Sequence, residues 1–341
     1  MEKRQTDPEK LQENKRNLLS VPVKFSVVMP LYNAAPYVKE AVQSVLEQSY
    51  PNWELIVVDD GSDDGSLDIV NDFAERNSKI KILTHDGGQN KGVSATRNLA
   101  INKSTGSWIS LIDADDTWYP DKLKREAQII CLHPEVVLLY SKAKRNQEKP
   151  DPKNNAKLVY GTGENGEIKE PFKKLLPGFF TSTSAVTFKK EVFVKCGGFN
   201  ENMRFSEDTL MFHQIMEHGN VYCIDEILGT HRIHDSSAVS NTSLEKRITS
   251  RFIVYEQLLK KVRVENKKLV SGALVNTGLL KIFRSYLLYP YNKPKLAYQY
   301  LIRTINFPDV LILHKIKAII LFVTEVLISP LKAIWLKIRH K

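Results

Sequence analysis

The sequence predicts an α/β fold, a mostly parallel sheet flanked by helices, and three observations predict it. Between Phe25 and Ser141, short apolar runs alternate with segments whose apolar residues recur at helical spacing. Successive runs end in polar residues, first Tyr32-Asn33, then Asp59-Asp60, His85 and Asp113-Ala-Asp-Asp116, as strands do where a sheet edge receives a ligand. The last of these runs, Trp108 to Ile112, leads directly into three carboxylates, a place suited to a hard cation with oxygen ligands.

Taken in order, Met1 to Lys24 is polar and densely charged and reads as a tail. It has no apolar segment of the signal-peptide kind, so the expected location is the cytoplasmic side. Phe25 to Met29 reads as a strand ended by Pro30, and Ala34 to Gln48 as a helix carrying Val38, Val42, Val45 and Leu46. Strand Glu54 to Val58, helix Leu67 to Phe73, strand Ile80 to Leu83 and helix Val93 to Ile101 follow. Strand Trp108 to Ile112, helix Asp121 to Cys131 and strand Val136 to Tyr140 complete the alternation, which implies a parallel sheet covered on both faces.

Lys142 to Lys174 is polar and reads as a lid or a variable loop. Phe179 to Phe188 resumes as a strand, and a short helix is expected over Glu191 to Lys195. A further helix starts at Phe205-Ser-Glu-Asp208, with Ser206 as its N-cap and Leu210, Phe212 and Ile215 on its apolar side. After Ser243 the pattern is helical: Arg247 to Val262, Leu269 to Leu288, Leu296 to Ile305, and a final pair of amphipathic helices over Val310 to Lys341. The expected domains are a tail over 1–24, an α/β domain over 25–240 with halves 25–141 and 142–240, and a helical region over 241–341.

At 341 residues with 42% apolar composition, the chain can bury a sizeable core. Its net charge of +10 suits a phosphorylated ligand or an anionic surface. Nucleic acid is not expected, because the basic residues crowd the end segments with no aromatic-basic stripe to stack bases. The three cysteines are scattered without metal-ligand spacing and read as packing residues in a reducing compartment.

Neither a G-x-G-x-x-G turn nor a Walker lysine loop follows the first strand, which argues against NAD and P-loop chemistry. A nucleotide bound at this edge would need a metal to hold its phosphates. Tyr32 could stack a base and Asp60 could accept its N–H, although Asp, Asn and Gly are also ordinary turn formers.

The runs Ser26-Val-Val-Met-Pro-Leu-Tyr-Asn33, Glu54-Leu-Ile-Val-Val-Asp-Asp-Gly-Ser62, Asn90-Lys-Gly-Val-Ser-Ala-Thr-Arg-Asn98 and Asp113-Ala-Asp115 resemble, in order and spacing, the family 2 glycosyltransferases of the GT-A fold. The resemblance is specific over about Phe25 to Tyr140 and continues more weakly to about Ser240. It implies a Rossmann-like sheet, a nucleoside-diphosphate sugar donor with UDP preferred, and Mn²⁺ or Mg²⁺ as cofactor. It further implies that Pro30, Tyr32, Asp60, Arg97 and Asp113 line the nucleotide, with Arg97 equally a structural ion-pair partner, and that Asp115 ligates the metal. Asp116 is expected as a helix cap or an outer-shell group. In Glu207-Asp208 the aspartate is the implied catalytic base. In His231-Arg-Ile-His234, His234 is the candidate further metal ligand and Arg232 a diphosphate contact, with His231 expected to face elsewhere.

Such an enzyme needs one carboxylate base, because a nucleoside diphosphate is already a good leaving group and only the attacking hydroxyl must lose a proton; direct in-line attack by that hydroxyl inverts the anomeric centre, as the resemblance also implies. The final segment combines Ile319, Ile320, Leu327, Trp335 and other apolar residues with Lys315, Lys317, Lys332 and Lys337. Glu325, Pro330 and Lys332 interrupt it, so peripheral docking at the inner membrane face is expected, which suits a lipid-linked saccharide acceptor in surface-polysaccharide assembly. The rivals are a nucleotide-binding scaffold without activity and a sugar-nucleotide nucleotidyltransferase, which would release pyrophosphate.

Overall fold

The computed structural model describes residues 23–147, 159–161, 163–177, 181–235, 243–287 and 294–339. The chain divides into two compact units, Met1–Pro171 with Phe180–Arg204 and His218–Asp235, and Phe172–Phe179 with Phe205–Glu217 and Ser236–Lys341.

In the first unit β1 (Phe25–Leu31), α1 (Val38–Leu46), β2 (Trp53–Asp59), α2 (Ser66–Arg76), β3 (Ile80–Thr84), α3 (Val93–Lys103) and β4 (Trp108–Leu111) follow one another as the periodicity predicts. Then come β5 (Thr117–Trp118), α4 (Lys122–Leu132), β6 (Val136–Gln147), β7 (Val159–Tyr160), β8 (Gly166–Ile168), β9 (Val186–Lys189) and, later in the chain, β10 (Asn220–Ile233). The described strands form one mixed sheet in the order β3-β2-β1-β4-β9-β6-β10-β5, with β7 beside β6 and β8 beside β10. β1 pairs in parallel with both β2 and β4, so successive crossovers leave it in opposite directions. That reversal opens a crevice at the carboxyl ends of β1 and β4, where α/β sheets take ligands.

Pro30 helps open it. Ile112 N donates to Val28 O and Asp60 N to Leu31 O, so the even-numbered residues of β1 face β4 and the odd ones face β2. Pro30 lacks an N–H on the β4 side, beyond the last β1–β4 pair, Val28 with Leu111, so no ladder bond is lost. The core beneath is continuous: Val27, Met29, Leu55, Val57, Val38, Val42 and Leu123 are among its buried members.

Buried polar groups fasten the sheet at two places away from the crevice. Near the amino ends of β1 and β2, Glu54 accepts from Ser26 Oγ at 2.7 Å, Thr105 N at 2.6 Å and Lys81 Nζ at 2.7 Å. Beneath β4 and β9, Lys122 Nζ meets Glu126 Oε1 at 2.5 Å, both side chains being buried, and Thr187 Oγ1 donates to Glu126 Oε2 at 3.0 Å.

The second unit is helical: α5 (Glu207–Met216), α6 (Leu244–Lys261), α7 (Val264–Ala273), α8 (Leu280–Leu287), α9 (Pro294–Asn306) and α10 (Ile312–Arg339). A π-helical stretch, Leu274–Leu279, joins α7 to α8, where the sequence predicts one helix. Its Gly278 lies against α6, where an added Cβ would stand 3.0 Å from Phe252 Cα. Phe252, Leu258, Leu259, Val270, Leu279 and Phe283 are buried in this unit.

Several expectations are corrected. Of the strand expected over Phe179 to Phe188, the described residues show β9, preceded by a 3-10 turn at Thr183–Ala185, while 178–180 lie outside them. The polar stretch Lys142 to Lys174 contains the end of β6, β7 and β8, while 148–158 lies outside the described residues. The final helix pair is a single helix, α10, running through Pro330.

Candidate active site

At the carboxyl end of β4 the chain turns through Asp113-Ala-Asp-Asp116, and four polar contacts fix the turn. Asp116 N donates to Asp113 O at 3.1 Å. Ser184 Oγ accepts from Asp113 N at 3.0 Å and donates to Asp116 Oδ2 at 2.5 Å. Trp118 Nε1 holds the Ser184 carbonyl at 2.7 Å. Asp116 is fully buried and is no helix cap, since the next helix, α4, begins beyond Asp121; its carboxylate serves the surrounding chain. Arg232 N donates to its Oδ1 at 2.8 Å and His231 Nδ1 lies 3.2 Å from its Oδ2.

The end of β10 therefore runs across the aspartate turn. His231 faces the carboxylates rather than away from them, a correction with a local cause: Asp116 lies beside the strand and takes the Arg232 backbone N–H on one oxygen and the His231 ring on the other. Burial alone would lower the His231 pKa, but the hydrogen bond and charge of Asp116, with the charges of Asp115 and Asp113, raise it above its ordinary value. Arg232 Nε donates to the Asp115 carbonyl at 3.0 Å, and its Nη2 pairs with Glu40 of α1 at 2.5 Å. His234 Nε2 lies 3.0 Å from Asp115 Oδ2. Tyr37, at the start of α1, packs against both: its ring is 4.4 Å from the His234 ring and 5.0 Å from the Arg232 guanidinium.

Asp115 is consequently crowded by like charge. Burial first, then the neighbouring Asp116 and Asp113 carboxylates, push its pKa up to about 6, and the His234 hydrogen bond opposes them. A carboxylate so placed gains from a cation. The 3.0 Å between Asp115 Oδ2 and His234 Nε2 is the spacing of two adjacent ligands on an ion with bonds of about 2.1 Å, so this donor set fits a divalent metal. Among the described residues, no group of three His, Cys, Asp or Glu side chains is assembled as a ready-made metal site. The remaining ligands would come from substrate oxygens or water.

The nucleotide-side residues lie at the same edge. Tyr32 is 54% exposed and follows β1 directly. Asp60 is buried, and Lys91 N and Gly92 N donate to its two oxygens at 2.7 and 2.9 Å. It thus ties the end of β2 to the loop that starts α3, with His85 Nε2 at 3.5 Å. The turn after it needs glycine: Gly61 has φ +82°, and a Cβ there would stand 2.8 Å from the Gly88 carbonyl oxygen. Arg97, buried on α3, donates to Asp113 Oδ1 at 2.7 Å and lies 5.6 Å from the Phe199 ring, as the ion-pair alternative for Arg97 anticipates.

The first unit therefore brings Pro30, Tyr32, Asp60, Arg97, Asp113, Asp115, Arg232 and His234 to one sheet edge. Asp208 belongs to the second unit, in the first turn of α5. Its Oδ1 accepts from Thr209 N at 2.5 Å. Ser206 stands at the N-cap position but in a left-handed conformation, φ 59°, with no side-chain capping bond. The sequence reading passed over Tyr37, Glu40 and Ser184. The two α1 residues carry no signal beyond an aromatic and an acid at a helix start, whereas the Thr181-Ser-Thr-Ser184 cluster just before β9 is a visible one.

The fold is shared with solved structures. S. aureus TarS 1-349 in complex with UDP-GlcNAc superposes with a TM-score of 0.69 at 19% identity, covering 91% of this chain and 92% of that one. The Pyrobaculum calidifontis mannosyltransferase PcManGT in complex with GDP-Man and Mn²⁺ gives 0.52 at 16% identity, covering 96% and 94%. In sequence, the chain is 28% identical over 232 residues to WfgD of Escherichia coli, a UDP-Glc:alpha-D-GlcNAc-diphosphoundecaprenol beta-1,3-glucosyltransferase, covering 63% of this chain and 79% of that protein. It is 37% identical over 105 residues to TuaG of Bacillus subtilis, whose name assigns it to teichuronic acid biosynthesis; the match spans 31% of this chain and 41% of that protein. An uncharacterized glycosyltransferase of Haemophilus influenzae is 39% identical over 102 residues, 30% of this chain and 40% of that one. Residues 26–197, half of the chain, match the family described as glycosyl transferase family 2, and the chain belongs to that family.

Proposed function

We propose that this protein is an inverting, metal-dependent glycosyltransferase that moves a sugar from a nucleoside-diphosphate sugar, UDP-sugars first, to a hydroxyl of a lipid-linked saccharide acceptor. It would work peripherally at the cytoplasmic membrane face, in surface-polysaccharide or lipopolysaccharide assembly. The observation that carries the reading is the docking of His234 and Arg232 on Asp115 at the β1/β4 crevice. The lipid-linked acceptor and UDP-sugar in the name of WfgD, and the UDP-GlcNAc bound by TarS, support the choice of substrates.

Pro30 and Tyr32 line the base, and Asp60 meets its N–H through an oxygen lone pair left over from the Lys91 and Gly92 bonds. Asp113, held by Arg97, lies toward the ribose. A divalent cation held by Asp115 and His234 would neutralise charge developing on the diphosphate. Arg232 supplies a fixed guanidinium for the same oxygens. Asp208 accepts the proton of the acceptor hydroxyl as it attacks the anomeric carbon in line, and the configuration there inverts.

The test is binding and turnover of UDP-, GDP- and dTDP-sugars with Mn²⁺ or Mg²⁺, then with chelator. One donor should bind with metal, Asp115→Ala should lose binding, and Asp208→Asn should bind without transfer. Pyrophosphate release would instead indicate a nucleotidyltransferase, and failure of every sugar nucleotide to bind would leave the scaffold reading.

A further inference from the structure

α10 has two apolar faces, and its own unit covers one of them. On the inner face Ala318 and Glu325 are buried, Phe322 meets the Phe283 ring at 5.2 Å, and Glu325 Oε1 accepts from Arg284 Nε at 3.0 Å. His314 Nδ1 lies 2.6 Å from Ser271 Oγ. The outer face carries Ile312, Leu313, Ile316, Ile319, Ile320 and Val323, all exposed, with Ile312 at 75%, Leu313 at 76% and Ile320 at 58%. Their spacing places them along one side of the helix. A continuous aliphatic stripe about 17 Å long, left in water, marks an interaction surface rather than scattered surface residues.

Charge selects the occupant. Residues 236–341 hold 19 Lys and Arg against five Asp and Glu, a net +14, whereas residues 1–235 carry −4. The chain's net positive charge thus arises in the part that bears the stripe. Lys315 and Lys317 lie on α10 itself, and the charges of Lys317 and Lys268 join burial in lowering the His314 pKa, so ammonium groups gather at this end of the helix. The one acid of α10, Glu325, is turned inward. A second copy docked face to face would bring two such basic ends together, while a surface of lipid phosphates would neutralise them. Among the described residues no helix is long and apolar enough to cross a membrane.

We propose that the outer face of α10 docks on an anionic lipid bilayer, with Ile312, Leu313, Ile316 and Ile320 entering the boundary between headgroups and acyl chains and Lys315 and Lys317 meeting lipid phosphates. The inference deepens the proposed function and rests on its lipid-linked acceptor for the biological purpose of docking. The surface itself is argued from exposure and charge.

The experiment is co-sedimentation of the full chain with vesicles of phosphatidylcholine alone or mixed with phosphatidylglycerol, at low and high salt. Native protein should bind the anionic vesicles, less so in high salt. Ile316→Asp with Ile320→Asp should weaken binding by about tenfold or more, and Lys315→Glu with Lys317→Glu should do so only on anionic vesicles. Circular dichroism melting checks that the exposed substitutions leave the fold intact, and UDP binding without vesicles reports on the donor site separately. Equal vesicle binding by native and Ile316→Asp/Ile320→Asp protein overturns the proposal, as does absence of binding to anionic vesicles. So does a native dimer in solution that the same substitutions dissolve. Vesicle binding by a protein that binds no nucleotide would instead sink the transferase reading and leave the docking surface standing.

Discussion

His234 Nε2 stands 3.0 Å from Asp115 Oδ2, which docks a histidine onto an aspartate 119 residues earlier in the chain. If these two atoms share a metal, removing either loses a ligand and its charge or lone pair. His234→Ala is expected to weaken Mn²⁺-dependent UDP binding by at least the about 10–100-fold that loss of an outer-shell partner costs. Titration calorimetry with UDP, with and without Mn²⁺, measures it; equal metal dependence in both proteins would remove His234 from the ligand set.

Arg232 is held between the Asp115 carbonyl, the Tyr37 ring and Glu40. Glu40 is 63% exposed in its side chain, so its pair with Arg232 is worth about 0.2–1 kcal/mol in water. Glu40→Gln is therefore expected to change donor affinity by less than about fivefold. Arg232→Ala, which would remove the proposed charged partner of the diphosphate, should raise the donor KM by about tenfold or more. The ratio of the two effects in steady-state kinetics is the check.

The buried Lys122–Glu126 pair makes a different prediction, about stability alone. Burial lowers the Lys122 pKa and raises that of Glu126, so each depends on the other to keep its charge. Glu126→Ala should cost about 3–5 kcal/mol by stranding the lysine, whereas replacing both with apolar residues of similar volume should recover most of it. Urea denaturation of the single and double variants measures the difference.

Glu54 gives the pH dependence. Burial opposes its ionisation, but hydrogen bonds from Lys81, Thr105 and Ser26 hold its pKa down at about 2, against an ordinary 4.5. A carboxylate with a lowered folded-state pKa adds stability that is fully present above its unfolded value and is lost as pH falls from about 4.5 toward 2. Melting temperature should therefore drop over that window more steeply in the native protein than in Glu54→Gln. That variant should be less stable at neutral pH, by about 1–3 kcal/mol, because it gives up charged acceptors.

What the sequence made legible follows from pattern strength. β1, β2 and β4 are largely buried and read as apolar runs interrupted only by Ser26, Glu54 and Ser110, and the aspartates behind β2 and β4 stand where strands of a parallel sheet end. β10 was not foreseen as a strand. Its Asp225, Glu226 and Gly229 break the apolar pattern, and its register against β6 shifts three times, so no simple alternation survives. Simple alternation from Arg232 and His234 sends His231 to the other side, but Asp116 takes the His231 ring and the Arg232 backbone N–H at once. The partners of Arg232 were illegible for another reason: Tyr37 and Glu40 lie near the start of α1, nearly 200 residues upstream, and only the folded sheet edge brings them together.

The separation in sequence between the aspartate turn and its partners has a temporal consequence. Asp115 and Asp116 meet Arg232, His231 and His234 across 115 to 119 residues, whereas β1 pairs with β2 across 28 residues and with β4 across 83. On a ribosome adding about 5–20 residues per second, the nascent chain would hold an open aspartate turn for about 6–24 s before the residues that cover it are made. Long loops also close late because their entropy must be overcome first. The cover over the aspartate turn is thus the last part of the sheet to be made, and a chain cut short before His231 would carry β1, β2 and β4 with Asp115 and Asp116 open.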